Sequence, residues 1–453
     1  MILSKTINKF PKNLTLVITS LKKLSRDDCI KFNKKVRNKV NGLRIALFLT
    51  DPIKVVLSLI ALDGEAKAII LISSSLDYKN AVEQAIASKA ELILCDNLKI
   101  KKNFDKMYNS PPTYLNLKDL KKLKKNKFKR FKTEWILSTS GTLGKSKLVC
   151  HNLKSLIKTT KPYNESTSKY SWGLLYEHTR FAGIQVLLQS IISGSKLLAP
   201  RYNKELKYKI EFFVKNNCTH ISATPTLWLK IMLVPKSKNL KLSQITLGGE
   251  IVTEKILNSL SNYFPKARIV HIFAITEGGV GFSVSDKKPG FPIKFLKEAP
   301  NEVKIKIDNG RLFIKNKDVK SKYLESNISF VDSKGWVGTG DMVLIKNDRV
   351  FFLGREKGVI NVGGEKVYPD EIENILYSHP DVAIAKVYSK SNPITGSIVV
   401  ADIEPNNSKL NKNKLKESLL KLAGDNLERH KIPVIFRFVS NIKLNQTGKL
   451  QRK

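Results

Sequence analysis

Cysteine is scarce in this chain: four in 453 residues, Cys29, Cys95, Cys150 and Cys218, far apart and without a CxxC pair. That excludes a disulfide-stapled scaffold and predicts buried thiols in a reducing, cytosolic compartment. Histidine is equally sparse, six residues with no pair at helical or zinc-ligand spacing, so no structural metal site is expected. No apolar run reaches the roughly 18 residues of a membrane-spanning helix. The N-terminal NLTLVITSL is short, interrupted by polar residues and followed by KKL without a small-residue cleavage site, so no signal peptide is expected. Acidic residues are also short in supply, 39 against 80 Lys and Arg, leaving a formal charge of +41. Such a charge draws polyanions, yet no zinc finger, recognition helix or stacking-aromatic pattern accompanies it. The lysines are spread over the chain, densest in LKDLKKLKKNKFKRF from Leu117 to Phe131, and a dedicated nucleic-acid site is not expected.

What is present is the composition of a folded protein, 42% hydrophobic with 24 Gly and 17 Pro. Its length exceeds one ordinary core, which predicts two or three domains. From Arg44 onward short apolar runs alternate with helical periodicity: RIALFL, DPIKVVLSLIALDGEAK, AIILI, YKNAVEQAIASKA, ELILC. This is the rhythm of a mostly parallel sheet flanked by helices, with Asp51 and Pro52 as N-cap and first-turn proline of the first such helix. The lysine-rich stretch reads as a solvated helix or linker. The rhythm resumes at EWILSTS and continues through FAGIQVLLQSIISGSKLLAP, a helix stopped near Gly194 and then a strand, and through THISATPTLWLKIML, ITLGGE and ARIVHIFAITEGG. Each strand opens into a turn rich in Gly, Thr or Pro, and ligands gather at such strand ends in open α/β sheets. After about Lys304 strands and hairpins take over, VKIKI, GRLFI and MVLIKNDRVFFLG, and from about Arg355 a small α+β unit follows. The expected organisation is α/β: a large N-terminal domain, residues 1–354, with parallel sheets and a β-rich subdomain, and a small α+β C-terminal domain, residues 355–453, on a hinge.

The stretch WILSTSGTLGKSKLVCHN, Trp135 to Asn152, suggests a phosphate cradle. Gly144-Lys145-Ser146 supplies the second half of a Walker P-loop, but its first glycine would fall on Thr139 and no acidic strand follows at a convincing place. A plain polar turn between a strand and a helix is the bland alternative.

A third reading takes in the rest of the chain. STSGTLGKSK resembles the phosphate loop of the adenylate-forming, AMP-binding superfamily, which comprises acyl-CoA synthetases, carrier-loading adenylation domains and luciferases. FAITEGG, Phe273 to Gly279, resembles that family's aromatic-Gly-x-Thr-Glu motif. The segment from Gly338 to Glu373 resembles its Gly-Asp, Gly-Arg and hinge region, and NQTGKLQRK the C-terminal motif that carries its lysine. The match is to the shorter acyl-CoA synthetases, a group that includes succinylbenzoate ligases.

The resemblance implies an acid–thiol ligase dependent on ATP and Mg²⁺ that makes an acyl-adenylate and passes the acyl group to coenzyme A. Two anions must meet in the first step, so the site must supply positive charge where the transition state develops. By resemblance, Thr139, Ser140, Gly141, Thr142, Gly144 and Lys145 wrap the β- and γ-phosphates, with glycines permitting close approach. Glu277 holds the metal and Thr276 addresses the α-phosphate. Phe273 stacks on adenine, and Gly248, Gly249 and Glu250 line its opposite edge. Asp341 reads the ribose hydroxyls and Arg355 braces the sugar. Lys449 is the implied catalytic cation of the first step, Glu356 the hinge, and Gly363 and Gly364 the lining of the thiol's path. YEHTRFAGIQVLLQSIISG resembles the acyl-pocket segment and places His178, Phe181 and Gly183 near the carboxylate, with Thr224 opposite. The chain departs from the pattern at Leu143, where a hydroxyl residue is usual, at Ser146 for proline, at Ala274 for glycine, and at Phe273, which lacks a phenol. Two alternatives stand beside coenzyme A ligation: loading of a separate acyl carrier protein, and a catalytically silent, polyanion-binding relative.

Overall fold

The computed structural model describes residues 3–96, 113–125, 127, 129–139, 147–201, 203–317, 323–324, 329–393, 395–407, 410–444 and 449–450. The first sheet has six strands in the spatial order Thr113–Leu115, Leu92–Cys95, Arg44–Phe48, Ala68–Leu71, Glu134–Ser138, Leu148–Asn152. All neighbours are parallel except the last pair. Its central strands are buried on both faces, which is why they read as unbroken apolar runs and not as alternation. The helix between the first two strands in sequence, Pro52–Leu62, begins as its sequence dictates: Asp51 accepts from the Ile53 amide and Pro52 fills the first turn.

The second sheet has eight strands, ordered Gly279–Val284, Arg268–Ile275, Gln244–Gly248, His220–Ala223, Ser171–Gly173, Lys196–Leu198, Thr15–Ile18, Lys23–Ser25. Its interior is parallel, and antiparallel hairpin strands close both edges. Helix Phe181–Ser193 ends at Gly194, whose positive φ of 66° closes the helix before strand Lys196–Leu198. One apolar core joins the two sheets through this helix and Pro52–Leu62, including Leu47, Val56, Leu59, Ile69, Leu187, Ile191 and Leu197. The four cysteines are free thiols, all buried. The lysine-rich stretch forms a short 3-10 helix over Leu117–Lys122, with Leu117 and Leu120 turned into the core.

A five-stranded antiparallel sheet comes next, Phe291–Pro292, Arg349–Arg355, Val337–Lys346, Arg311–Lys315 and Lys304–Asp308, the β-rich part expected after Lys304. The 3-10 turn Glu356–Gly358 leads out of it. Beyond lies a unit with its own apolar core: a hairpin, Ile360–Val362 and Glu365–Val367, a three-stranded sheet, Val382–Asn392, Gly396–Pro405 and Ile435–Phe438, and helices Pro369–Ser378 and Lys412–Asn426.

Gly183 shows how tightly the two sheets' connections pack. A Cβ at this position would fall on the carbonyl oxygen of Glu177 in the preceding turn, backbone that cannot yield cheaply. Gly183→Ala is therefore expected to destabilise by about 2 kcal/mol or more, read as a lowered urea midpoint with unchanged slope. His220 is buried against the rings of Tyr170 and Trp172 and pushed down to about 4 by burial. A histidine depressed in the folded state costs nothing above its unfolded value near 6.5 and costs progressively more as pH falls toward the folded value. His220→Gln cannot take up that proton. Its urea midpoint should lose less than wild type between about pH 6.5 and 4.5, and equal losses would contradict the assignment.

Candidate functional site

The loop after Ser138 joins two antiparallel strands, with Ser138 paired to Leu148. The element after the loop is thus a strand, not a helix, which removes both the Walker arrangement and the strand-to-helix turn. Ser140, Gly141, Thr142, Gly144 and Lys145 lie outside the described residues. Thr139 closes the loop's base: its amide donates to Lys147 O at 2.8 Å, and its Oγ1 accepts from the Lys147 amide at 3.3 Å. The Lys147 ammonium lies 4.5 Å above the Tyr323 ring, and the Tyr323 hydroxyl donates to Glu277 Oε1 at 3.1 Å. Burial and the Glu277 charge raise the Tyr323 phenol well above its ordinary range, so it remains a donor. The base of the loop and the Thr-Glu motif, far apart in sequence, thus meet through Tyr323. The backbone of the same motif lies near His151 on the strand leaving the loop, and His151 is 1% exposed and lowered to about 4 by burial.

A second group forms where the C-terminal tail meets the large domain. Asp341 and Arg355 face each other across two strands, Arg355 Nε 2.8 Å from Asp341 Oδ1, while Arg355 Nη1 donates to Thr339 O at 3.0 Å. Asp341 is 8% exposed and its Oδ2 has no donor. Burial raises its carboxyl, and Arg355 opposes the rise. A buried acceptor without a partner costs about 1–3 kcal/mol, and it marks a place where a ligand's hydroxyl is wanted.

Lys449 lies over Gly249. A Cβ on Gly249 would sit 3.0 Å from Lys449 Cε, and Gly249 has a φ of +83°, so both the room and the backbone conformation favour glycine here. Burial lowers the Lys449 ammonium, Arg355 lowers it further, and Glu250, Asp341 and Asp370 raise it. Glu250 accepts from the Thr226 amide at 3.0 Å and from the Leu450 amide at 3.2 Å, tying the residue after Lys449 to the large domain. Thr224 is buried beside this group. It caps helix Pro225–Met232 by accepting from the Leu227 amide, and its methyl lies 3.7 Å from the Cβ that Gly249 lacks. Gly248 ends the strand that leads into this turn.

On the expected acyl side, His178 is buried with Nε2 2.9 Å from Leu49 O, its charged form disfavoured chiefly by burial. Phe181 opens helix Phe181–Ser193, its ring 5.7 Å from that of His151. Gly183 faces the Glu177 backbone, so packing by itself explains the glycine. Phe273 has its ring stacked with both Phe282 and Phe352, centroids 5.2 Å apart in each case. It is part of the aromatic core of the β-rich subdomain, and an adenine contact would have to use what those rings leave. Glu356 pairs with Arg311 at 2.6 Å. Gly363 and Gly364 form the solvent-exposed tip of a hairpin, where an added Cβ would meet nothing within 4 Å, and this arrangement does not bring them to Asp341 or Lys449.

Sequence reading missed a buried carboxylate, Glu177, 0% exposed. It accepts from Ser73 Oγ and the Ser74 amide at 2.8 Å each and from Thr179 Oγ1 at 2.7 Å, and it lies 3.4 Å from Arg180 Nε. Arg180 Nη1 in turn donates to Ser138 Oγ at 3.3 Å. Tyr323, His151 and Arg180 were missed as well. Tyr323 stands in no motif, and a lone His or Arg within an apolar stretch announces no partner.

The donors present suit a nucleotide and Mg²⁺. Among the described residues no group of three or more His, Cys, Asp or Glu could hold a metal by itself. A single carboxylate, Glu277, beside the Thr276 hydroxyl suits a hard ion held mainly by substrate phosphates. The unpartnered Asp341 Oδ2 suits a ribose hydroxyl.

Known proteins place the chain. Residues 56–319 match the family model of AMP-binding enzymes, and residues 371–449 the model of the AMP-binding enzyme C-terminal domain. A 2-succinylbenzoate–CoA ligase of Lactococcus lactis subsp. lactis (strain IL1403) is 23% identical over 434 residues, 91% of this chain and 90% of that one. One from Staphylococcus epidermidis (strain ATCC 12228) is 26% identical over 333 residues, 70% of this chain and 68% of that one. Among solved structures, the anthranilate CoA ligase AuaEII with anthranoyl-AMP superposes with a TM-score of 0.83 at 14% identity, covering 99% of this chain and 95% of that one. O-succinylbenzoate coenzyme A synthetase of Bacillus subtilis with ATP and magnesium gives 0.76 at 19% identity, covering 99% and 97%. With the family's model matched over more than half of its length and the C-terminal model matched over residues 371–449, this chain belongs to the AMP-binding enzymes.

Proposed function

We propose that this chain carries out AMP-forming acid–thiol ligation with the residues gathered around Glu277 and around Lys449, and that Lys449 is its first-step catalyst. The observation that carries the reading is the seat of Lys449: an ammonium from the end of the chain lying over Gly249, with Glu250, Asp341 and Arg355 as its charged neighbours. In the first step a carboxylate oxygen attacks the α-phosphorus of ATP and pyrophosphate leaves. In the second, the sulfur of coenzyme A attacks the acyl carbon and AMP leaves.

In this reading each group has a role, and those of the loop from Ser140 to Lys145 rest on the family resemblance alone. Asp341 accepts from the ribose through its unpartnered oxygen while Arg355 fixes the carboxylate's orientation. Thr139, with the loop residues Ser140, Gly141, Thr142, Gly144 and Lys145, wraps the outer phosphates. Gly248, Gly249 and Glu250 line the base, and Phe273 borders it. His178, Phe181, Gly183 and Thr224 bound the acyl side. Glu277 would hold Mg²⁺, which when bound neutralises charge on the phosphates, and the Thr276 hydroxyl addresses the α-phosphate. Lys449 reaches carboxylate and phosphate oxygens together, lessening the repulsion between two anions. We place the domain boundary at Arg355, the last residue of the β-rich sheet, with Glu356 as hinge. Rotation there would withdraw Lys449 and carry the open Gly363-Gly364 tip toward the thiol's route. The four buried thiols fit a cytoplasmic location, and no helix among the described residues is long and apolar enough to cross a membrane.

The excess of basic residues favours one second reading, delivery to an acidic carrier protein instead of free coenzyme A. A screen of acids by labelled pyrophosphate exchange into ATP, including 2-succinylbenzoate, anthranilate and 4-coumarate, tests the first step. Acid-dependent exchange is expected, and none with any acid would refute the ligase reading. With the acid in hand, product forms with coenzyme A; formation only with a holo-carrier would favour the second reading. Lys449→Ala should lower exchange by about a hundredfold or more, ~3 kcal/mol of transition-state stabilisation. Transfer from supplied acyl-adenylate to coenzyme A should be retained, and equal loss of both steps would remove its assigned role.

A further inference from the structure

Between the large domain and the C-terminal unit, two lysines make contacts that the chemistry described above does not use. Lys230, on helix Pro225–Met232, donates from Nζ to Asn441 Oδ1 at 2.8 Å and to Ile442 O at 2.7 Å. The Ile442 amide is held from the other side by Glu404 Oε2 at 2.6 Å. The tail that carries Lys449 is therefore gripped at Ile442, about two helical turns' worth of chain before that lysine. Lys255, on helix Glu254–Tyr263, donates from Nζ to His379 O at 2.7 Å, at the end of helix Pro369–Ser378. Both lysines are partly buried, and burial lowers both ammonium groups, against the pull of Glu404 on one and Asp381 on the other.

A surface lysine loses nothing by staying hydrated. One that surrenders part of its water to carbonyls of another domain does so only where charge-assisted bonds replace it. The hinge pair differs in kind: Arg311 and Glu356 are 56% and 46% exposed, and such a pair contributes little. The grip thus lies with the two partly buried lysines, one holding the tail at Ile442 and the other the end of helix Pro369–Ser378.

We propose that Lys230 and Lys255 are positioning residues for the first step, clamping the C-terminal unit in the arrangement that sets Lys449 over Gly249. The inference rests on the reading of Lys449 given above. Neither lysine touches the reacting atoms. Each acts through the C-terminal unit, and each contact must break before that unit can turn.

The test is a distance measurement that needs no acid. The native cysteines are buried, so nitroxide labels placed through K238C and K416C, at exposed positions on the two units, report their separation. Unliganded wild type should show one dominant distance, that of this structure. Lys230→Met with Lys255→Met keeps both aliphatic stems and removes the donors, and the ratio of this distance to all others should fall about tenfold or more. Lys230→Arg alone, which keeps charge and donors, should retain the dominant distance where Lys230→Met alone loses part of it. An unchanged distribution in the double variant, no dominant distance in wild type, equal shifts in Arg and Met, or a cooperative melt lost in the double variant would each overturn the clamp. Absence of pyrophosphate exchange in wild type would instead refute the ligase reading, and the distance readout keeps the two failures apart.

Discussion

The structure is organised around a charge cluster that neither domain completes by itself. Asp341 and Arg355 come from the β-rich subdomain, Glu250 from a strand end of the eight-stranded sheet, and Asp370 and Lys449 from the C-terminal unit. Asp341 is buried and Glu250, Asp370 and Lys449 are partly so, while Arg355 stays more than half exposed, and an unpaired buried charge would cost several kcal/mol. The cost is offset only when cations and carboxylates arrive together, so the cluster makes domain closure conditional on its own assembly. No protein donor meets the second oxygen of Asp341.

Everything around the cluster serves its placement. Parallel strands of two sheets deliver their carboxyl ends to one region, and the turns there carry the polar side chains. Glu177 ties the junction of the sheets together, accepting from serines that follow one sheet's strand while itself following a strand of the other. Through Arg180 that network reaches Ser138, at the foot of the loop. The foot of the loop is thereby linked to the close packing between the two sheets.

The aromatic residue of the Thr-Glu motif shows where family resemblance and local packing pull in different directions. Phe273 has no hydroxyl to hold toward solvent, and the neighbouring Phe282 and Phe352 supply apolar faces. The ring accordingly joins the aromatic core. Ala274, in place of a glycine, sits at a bulge in the pairing with the edge strand, where the chain changes register before Thr276 and Glu277.

Much of this was legible in the chain alone, because local rules decide it. Periodicity marks the buried parallel strands, Asp51-Pro52 and Gly194 mark helix ends, and the ordered motifs point to the family. Tertiary structure decided the rest. A strand after the loop, not a helix, results from pairing between Glu134–Ser138 and Leu148–Asn152, which no local propensity encodes. The partners of Glu277, Tyr323 and Lys147, and those of Lys449 come from distant segments. Pattern can show that a residue is polar or apolar, but not which of several hundred others will share its low-dielectric surroundings. Only the packed chain brings Tyr323 to Glu277 and Lys449 to Gly249, since those meetings are set by long-range burial and not by neighbours in sequence.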